Sequence, residues 1–250
     1  MNKMRFLLAV SLAFNLVVAG IGGFLVYRRG GLAYLKTRVM PTPTVRVVRL
    51  SDAQEIFASM PITPRAIVMV GDSLTARCPW PEILSSQTQQ PILTRGIGGE
   101  GIEGVKDRLD EVLRHQPRQV FLMSGINDLL DGESSAFVVE HVRAIVATIR
   151  KRAPQTQIVL QSLLPVNENA APAVSPEEAQ RAQRVLNEAV VQVNRELKSM
   201  SNAREIRFVD IHSSLTDESG QLQKRFAVDG LHLSAAGYQV WKEKIESYLN

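Results

Sequence analysis

The stretch Ala66-Ile67-Val68-Met69-Val70-Gly71-Asp72-Ser73-Leu74 decides the fold. It begins with a wholly apolar run, Ala66–Val70, and this run is followed directly by a glycine and two small polar residues. A continuous aliphatic run is typical of a strand that is buried on both faces of a parallel sheet. The polar residues after it then lie at the carboxyl end of the strand, where ligands bind in open α/β sheets.

Four more apolar runs follow along the chain, and helical patterns separate them. The predicted strands are Ala66–Val70, Pro91–Thr94, Gln119–Met123, Gln157–Leu160 and Ile206–Val209. The helical patterns cover 104–115, 134–152, a stretch that opens with a capping box at Ser175, and 234–248. Alternating strands and helices predict an α/β fold, a doubly wound three-layer α/β/α sandwich with a five-stranded parallel sheet.

Three other short motifs fall at the same edge of the predicted sheet. Gly98-Gly99 follows the second strand, Gly125-Ile126-Asn127-Asp128 follows the third, and Asp229-Gly230-Leu231-His232 lies in the loop after the fifth. Because the carboxyl ends of parallel strands meet at one edge, we expect these motifs to converge on Ser73. Each motif alone is commonplace in turns, and it is their ordered combination that indicates a site.

The residue types in these motifs are those that ester cleavage requires. Ser73 is the candidate nucleophile, and its hydroxyl needs a base such as His232 to take its proton. Asp229, three residues earlier, is the candidate acid that holds the imidazole in one tautomer. The candidate oxyanion-hole donors are the backbone N–H groups of Ser73 and Gly99 and the side-chain amide of Asn127.

Two rival assignments stay open at this stage. His212 follows the fifth predicted strand and is the alternative base, although it lacks the Asp-x-x-His spacing. Ser124 also lies at a strand end and is the alternative nucleophile. The other two histidines, His115 and His141, fall within helical patterns and are interpreted as structural.

Together the four motifs resemble those of the SGNH (GDSL) hydrolase superfamily. The matching residues are Gly71-Asp72-Ser73-Leu74, Gly96-Ile97-Gly98-Gly99, Gly125-Ile126-Asn127-Asp128 and Asp229-Gly230-Leu231-His232-Leu233-Ser234-Ala235-Ala236-Gly237-Tyr238. The resemblance covers about 67–249 and implies a flavodoxin-like sheet of five parallel strands and hydrolysis of esters or thioesters without a cofactor; we expect no metal. By position it implies the same nucleophile, acid, base and oxyanion-hole donors as those named above.

The expected function follows from the branch of the superfamily that the chain resembles most. The glycine block and Leu163-Leu164-Pro165 look most like the platelet-activating-factor acetylhydrolase-like branch, which implies short acyl groups. We therefore expect a serine esterase that hydrolyses short-chain acyl or acetyl esters of a small molecule, lipid or polysaccharide through an acyl-enzyme. Two alternatives stay open: a membrane-anchored O-acyltransferase acting on a polysaccharide, and a non-catalytic binding module on the same fold.

The amino-terminal part of the chain has a different character. Residues 6–27 form a 22-residue run without a charged side chain, which is long enough to span a bilayer. This run predicts an uncleaved transmembrane anchor, with a cleaved signal sequence as the alternative. We expect 1–30 to be the anchor, 31–60 a basic juxtamembrane segment, linker and short helix from Ser51, and 61–250 the hydrolase domain.

We accordingly predict a single-pass membrane protein with an amino-terminal anchor. The superfamily resemblance favours an extracytoplasmic catalytic domain, whereas the basic residues that follow the apolar run favour the cytoplasmic side. The sequence leaves the side open.

The net charge of +4 at neutral pH also belongs to the amino-terminal part. Eight of the 29 Lys and Arg, and none of the 25 Asp and Glu, lie in the first 50 residues. The rest of the chain is net acidic, so it lacks the basic surface that a nucleic-acid-binding domain carries. We therefore expect no nucleic-acid partner.

Overall fold

A five-stranded parallel sheet forms the centre of the computed structural model, which describes residues 45–167, 176–202 and 205–249. The strands are β1 Ile67–Gly71, β2 Ile92–Gly96, β3 Gln119–Met123, β4 Gln157–Gln161 and β5 Ile206–Val209. Their order is β2-β1-β3-β4-β5, and every neighbouring pair is parallel. This confirms the predicted α/β fold, and the strand order is that of flavodoxin-like sheets.

Burial explains why the strands could be recognised in the sequence. Every residue of β1 and β3 is buried, because both strands lie inside the sheet with a strand on either side. The edge strand β5 is only partly buried along most of its length. The predicted bounds of β3 and β5 are confirmed, and those of β1, β2 and β4 differ from the observed bounds by one or two residues.

Helices fill the connections between the strands. In chain order they are α1 Val45–Ser59, α2 Ser73–Ala76, α3 Trp80–Ile83, α4 Ile102–Asp107, α5 Leu109–Leu113, α6 Ile126–Leu130, α7 Ser135–Arg152, α8 Pro176–Ser199, α9 His212–Leu215 and α10 Ala235–Ile245. Helices α4, α5, α6 and α8 all contact α7, whereas α9 contacts α10. Short 3₁₀ turns lie at Lys224–Phe226 and Glu246–Tyr248.

The two tryptophans of the chain pack against each other where α3 meets α10. The ring centroids of Trp80 and Trp241 lie 4.9 Å apart, and Tyr238 stacks on Trp241 with centroids 5.9 Å apart. Both indole N–H groups are satisfied, since Trp80 donates to the Thr75 carbonyl oxygen at 2.9 Å and Trp241 to Gln161 Oε1 at 2.8 Å. This contact fastens the last long helix to the segment that follows β1.

Two helix predictions need correction. The pattern at 104–115 forms two helices, because the backbone at Arg108 leaves helical geometry (φ −99°, ψ 16°) between α4 and α5. The break lets the Arg108 side chain enter the interior, where the residue is buried. The short helix expected from Ser51 begins instead at Val45, so Ser51 lies within α1 and is not its N-cap.

The predicted membrane anchor at 6–27 lies outside the described residues, as does Ser175, the expected N-cap of α8. Within the described ranges, no helix is both long and apolar enough to cross a membrane. The chain divides into a unit that ends at Val48 and a unit from Arg49 onwards. All the interactions below belong to the second unit.

Candidate active site

Residues 71–76, here called the serine turn, run from the last residue of β1 through α2 at the carboxyl edge of the sheet. Asp72 is the N-cap of α2, and its Oδ1 accepts a hydrogen bond from the Leu74 N–H at 2.9 Å. A Cβ on Gly71 would lie 2.2 Å from the carbonyl oxygen of Met123, so only glycine fits at the strand end. The turn thereby fixes Ser73 as the first residue of α2.

The Asp72 carboxyl group is buried beneath the serine turn. Burial raises the pKa of Asp72 to about 7 against the hydrogen bond from Leu74, and the carboxylates of Glu100 and Asp128 act in the same direction as burial. Among the described residues, Oδ2 of Asp72 has no hydrogen-bond partner. The carboxyl group therefore takes up a proton as the pH falls through the neutral range.

Residues 227–233, the histidine loop, bring a base and an acid to Ser73. Nε2 of His232 lies 2.9 Å from Oγ of Ser73, and Nδ1 of the same ring lies 2.8 Å from Oδ2 of Asp229. Oδ1 of Asp229 accepts the backbone N–H groups of Leu231 at 3.2 Å and His232 at 2.8 Å. The structure thus brings together the three residues of the sequence-predicted triad.

The electrostatics of this loop fix the protonation pattern. Partial burial acts to raise the pKa of Asp229, but the hydrogen bonds from His232 and Leu231 hold it below its ordinary value. An ionised Asp229 keeps the proton on Nδ1 of His232. Nε2 is then free to accept the proton of the Ser73 hydroxyl.

The glycine loop, residues 97–100, passes beside the serine. A Cβ on Gly98 would lie 3.9 Å from the Cβ of Ser73. Gly99 has a φ of +77°, a conformation that glycine adopts without the steric cost that other residues incur. The loop therefore passes beside Ser73 at Gly98, the residue before the predicted backbone donor Gly99.

The side-chain amide of Asn127 extends from the buried start of α6. Its Nδ2 donates to the carbonyl oxygen of Glu100 at 2.9 Å. The amide nitrogen carries two N–H donors, and the contact with Glu100 uses one of them. Next to it, Asp128 accepts the N–H of Ile102 at 2.9 Å, which ties α6 to the start of α4.

The two rival residues take no part in the contact of Ser73 with His232 and Asp229. Nδ1 of His212 lies 3.2 Å from Oγ1 of Thr216, and burial lowers the pKa of His212. Oγ of Ser124 is buried without a hydrogen-bond partner in the described part of the chain. Burial raises the pKa of the Cys78 thiol to about 12, which makes it a poor competing nucleophile. The described residues contain no group of three or more His, Cys, Asp or Glu that could hold a metal ion.

Two side chains that support this site were not predicted from the sequence. The hydroxyl of Tyr238 donates to the Leu74 carbonyl oxygen of the serine turn at 2.8 Å. Arg108 forms a buried ion pair with Glu100 of the glycine loop. Tyr238 belongs to the last motif and could have been singled out there. Arg108 fell in a helical pattern in which charged residues are expected to face solvent, so no local signal marked it.

A family model decides the identity of this fold and site. The model of the GDSL-like Lipase/Acylhydrolase family matches residues 69–240, more than half of the chain, and this range includes all four motifs. The chain belongs to the GDSL-like lipase/acylhydrolase family. This confirms the resemblance to the SGNH hydrolase superfamily, and the chain is an ester-hydrolysing enzyme of that family.

Curated relatives and solved structures agree with this assignment. Platelet-activating factor acetylhydrolase IB subunit alpha1 of Rattus norvegicus is 27% identical to this GDSL-like hydrolase over 179 residues, covering 69% of each protein. A Streptococcus pneumonia protein, provisionally described as a platelet activating factor, has a TM-score of 0.71 at 28% identity, covering 88% of this chain and 100% of that one. A GDSL-like lipase from Bacteroides thetaiotaomicron has a TM-score of 0.63 at 16% identity, covering 80% and 96%, which supports the fold alone.

Proposed function

We propose that this hydrolase is a serine esterase that cleaves short-chain acyl or acetyl esters through an acyl-enzyme, with Ser73, His232 and Asp229 as its triad. The observation that carries the proposal is the 2.9 Å contact between Oγ of Ser73 and Nε2 of His232. A serine hydroxyl that contacts a correctly oriented imidazole is the arrangement that nucleophilic ester cleavage needs.

The reaction proceeds in two halves. Oγ of Ser73 attacks the ester carbonyl carbon while Nε2 of His232 takes the hydroxyl proton. The N–H groups of Ser73 and Gly99 and the amide of Asn127 stabilise the negative oxygen of the tetrahedral intermediate. The intermediate collapses, the C–O bond of the ester breaks, and the alcohol leaves with the proton from His232.

Water completes the cycle. His232 takes a proton from a water molecule, whose oxygen attacks the acyl carbon of the Ser73 ester. Collapse of the second tetrahedral intermediate breaks the bond to Oγ, and His232 returns the proton to Ser73. The products are a free carboxylic acid and the alcohol, and no cofactor takes part.

The short acyl preference is supported by the similarity to acetylhydrolases. A panel of nitrophenyl esters of increasing acyl length tests it directly, and we expect the highest kcat/KM for the acetyl and other short esters. A maximum at a long acyl chain would contradict the proposed substrate class while leaving ester cleavage intact.

Ser73→Ala tests the proposed nucleophile. We expect loss of ester hydrolysis with an unchanged thermal unfolding midpoint, because only the attacking atom is removed. A serine-directed fluorophosphonate should label the native chain at Ser73 and leave the variant unlabelled. Ser124→Ala is the matched control and should behave as the native chain, and labelling at Ser124 would contradict the assignment.

The two alternative functions are separable by product analysis. An O-acyltransferase would move the acyl group from Ser73 to an added polysaccharide, so acylated glycan would appear at the expense of free acid. A non-catalytic binding module would retain a substrate without consuming it. Release of free acid in the presence of the glycan is the result expected for the esterase.

We also propose that residues 6–27 anchor the enzyme in a membrane, with the hydrolase domain on the extracytoplasmic side. The support is the 22-residue run without charge and, for the side, the superfamily resemblance. Fractionation of the full-length protein should recover it with membranes, and protease added outside intact cells should reach the hydrolase domain. Expression of the full-length chain that yields soluble protein with its amino terminus near Gly20 would instead indicate a cleaved signal sequence.

A further inference from the structure

A buried ion pair lies behind the glycine loop. Nε of Arg108 donates to Oε1 of Glu100 at 2.8 Å, and Nη2 donates to Oε2 at 2.7 Å. The exposed fraction is 5% for the Arg108 side chain and 2% for Glu100. This two-point geometry is the strongest form of contact between a guanidinium and a carboxylate, and it fixes both groups in orientation.

The same guanidinium also reaches the ends of two strands. Nη2 of Arg108 donates to the carbonyl oxygen of Arg95 in β2 at 2.8 Å, and it lies 3.5 Å from the carbonyl oxygen of Gly71 in β1. Arg108 therefore connects the glycine loop to the strand end that precedes Ser73. The break between α4 and α5 at Arg108 is what allows this side chain to point inwards.

Glu100 adjoins one proposed oxyanion-hole donor and binds the other, so the ion pair restrains both. Glu100 directly follows Gly99, and its own N–H donates to the carbonyl oxygen of Ile97 at 3.2 Å, which closes the turn that contains the Gly99 N–H. Its carbonyl oxygen accepts Nδ2 of Asn127 at 2.9 Å, which sets the direction of the amide. We propose that the Arg108–Glu100 pair is a positioning element that aligns the Gly99 and Asn127 donors with the oxyanion. This inference rests on the oxyanion hole of the proposed function.

A role in stability alone explains the pair poorly. The desolvation of two buried charges offsets most of their attraction, so a buried ion pair is weak support for a fold. Alignment has a much larger effect on catalysis, because a displacement of about 1 Å costs about 100-fold in rate. The pair acts through other groups and does not itself contact the reacting atoms.

A second buried ion pair offers a matched control. Nε of Arg95 donates to Oε1 of Glu111 at 2.9 Å, with side chains 4% and 9% exposed. The further contacts of this pair include the carbonyl oxygen of Thr94, the rings of His115 and Phe57, and Arg114, which lies 3.9 Å from Glu111. It matches the Arg108–Glu100 pair in burial and chemistry but not in its connection to Asn127.

Paired replacement by methionine separates positioning from stability. Methionine keeps most of the volume, and apolar replacement of a buried ion pair is commonly tolerated. We expect the variant Glu100→Met with Arg108→Met to lower kcat about 10–100-fold with little change in KM. The control variant, Arg95→Met with Glu111→Met, should keep the native kcat at a comparable thermal unfolding midpoint.

Coupling to Asn127 provides a readout that a purely structural role does not move. With Asn127→Ala in place, the double methionine replacement should lower kcat by a clearly smaller factor than it does in the native chain, because one of the two donors that the pair aligns has gone. Arg108→Lys is the second variant, in case the methionine variant does not fold. It keeps the charge but loses the planar fork, and it should show the same fall in kcat and the same coupling.

Three results would overturn the inference: native kcat in the folded Glu100 and Arg108 variants, an equal loss in the Arg95 and Glu111 control, or losses that are additive with Asn127→Ala. A different result would contradict the proposed function. If Asn127→Ala alone, or Ser73→Ala, leaves turnover unchanged, the oxyanion hole or the nucleophile is wrong, whatever the ion pair does.

Discussion

The serine turn and the histidine loop supply the two halves of the proposed triad, and the protein holds them by different means. In the serine turn, Asp72, Leu74 and Thr75 are at most 1% exposed, so packing fixes the backbone. In the histidine loop, the Asp229 side chain is 49% exposed. One half of the proposed triad is therefore set mainly by burial, and the other mainly by hydrogen bonds within and to its loop, including that from the Asn167 N–H to the Gly230 carbonyl oxygen at 2.9 Å.

Local bonds hold the histidine loop. Asp229 accepts two backbone N–H groups from within the loop, and the N–H of Val228 donates to the carbonyl oxygen of His232 at 2.8 Å. An antiparallel bridge between Ala227 and Leu233 closes the segment. Substitutions in this half should change activity with little effect on the fold, whereas substitutions of the buried neighbours of Ser73, such as Asp72, should also change stability.

The largest effect is expected in the histidine loop. His232→Ala should lower turnover of a nitrophenyl ester by about 10⁴-fold or more, nearly as much as Ser73→Ala, because nucleophile and base act as a unit. The thermal unfolding midpoint should stay close to that of the native chain. His212→Ala is the control, and loss in that variant with full activity in His232→Ala would reverse the assignment of the base.

Asp229→Asn should be less damaging than His232→Ala by about 10–100-fold. The asparagine side chain can still accept the backbone N–H groups of Leu231 and His232, so the loop keeps its shape. A backbone carbonyl or water can partly orient the imidazole, but the ionic partner of the ring is lost. Comparison of kcat for the two variants under one set of conditions is the measurement, and equal losses would show that orientation depends wholly on the carboxylate.

Asp72→Asn, in the buried serine turn, should change how the free energy of unfolding depends on pH. The folded chain keeps the Asp72 proton up to about pH 7, whereas an unfolded carboxyl releases it near its ordinary pKa of 3.8. The native chain therefore loses stability relative to the variant as the pH rises through this window, by up to a few kcal/mol at about 1.4 kcal/mol per unit.

Asparagine preserves the N-cap, so capping does not contribute to this difference. Denaturant unfolding of both chains at about pH 4 and about pH 8 gives the comparison, because other titrating groups cancel between them. A difference in unfolding free energy that is the same at both pH values would show that Asp72 is not the group responsible.

The smallest effect concerns the bond that joins the two halves. Tyr238, six residues after the base, donates to the Leu74 carbonyl oxygen of the serine turn at 2.8 Å. Tyr238→Phe should cost about 1 kcal/mol of stability and lower kcat by about two- to fivefold. Tyr248→Phe is a matched control, since Tyr248 donates to the Phe208 carbonyl oxygen at 3.1 Å. It should show the stability loss alone, and an equal fall in kcat would contradict the link.

Local patterns in the sequence were sufficient for the sheet and for the contact of Ser73 with His232 and Asp229. The strands are continuous apolar runs, and β3 and β5 have the predicted bounds. The rule that carboxyl ends of parallel strands share an edge was enough to expect Ser73, Asn127 and His232 to converge. The helix breaks and the start of α1 were predicted less well, because they depend on tertiary contacts and not on periodicity.

The burial and pairing of the charged residues could not be predicted from the sequence. Glu100 and Arg108 are eight residues apart, and their spacing is compatible with two solvent-exposed side chains on a helix and its preceding loop. Only the fold shows that Arg108 interrupts a helix to reach Glu100. Likewise, the pKa of Asp72 depends on burial and on Glu100 and Asp128, which lie far along the chain from it.

The contact between Trp80 and Trp241 provides a fluorescence signal for the folding of the enzyme. Ser73 and His232 are 159 residues apart, so the triad forms through a contact of long sequence separation that is costly to close and late to form. Both tryptophans of the chain lie in the contact that docks α10 beside the serine turn. Their fluorescence therefore reports this docking, and during refolding the return of esterase activity should follow the tryptophan signal without a further lag.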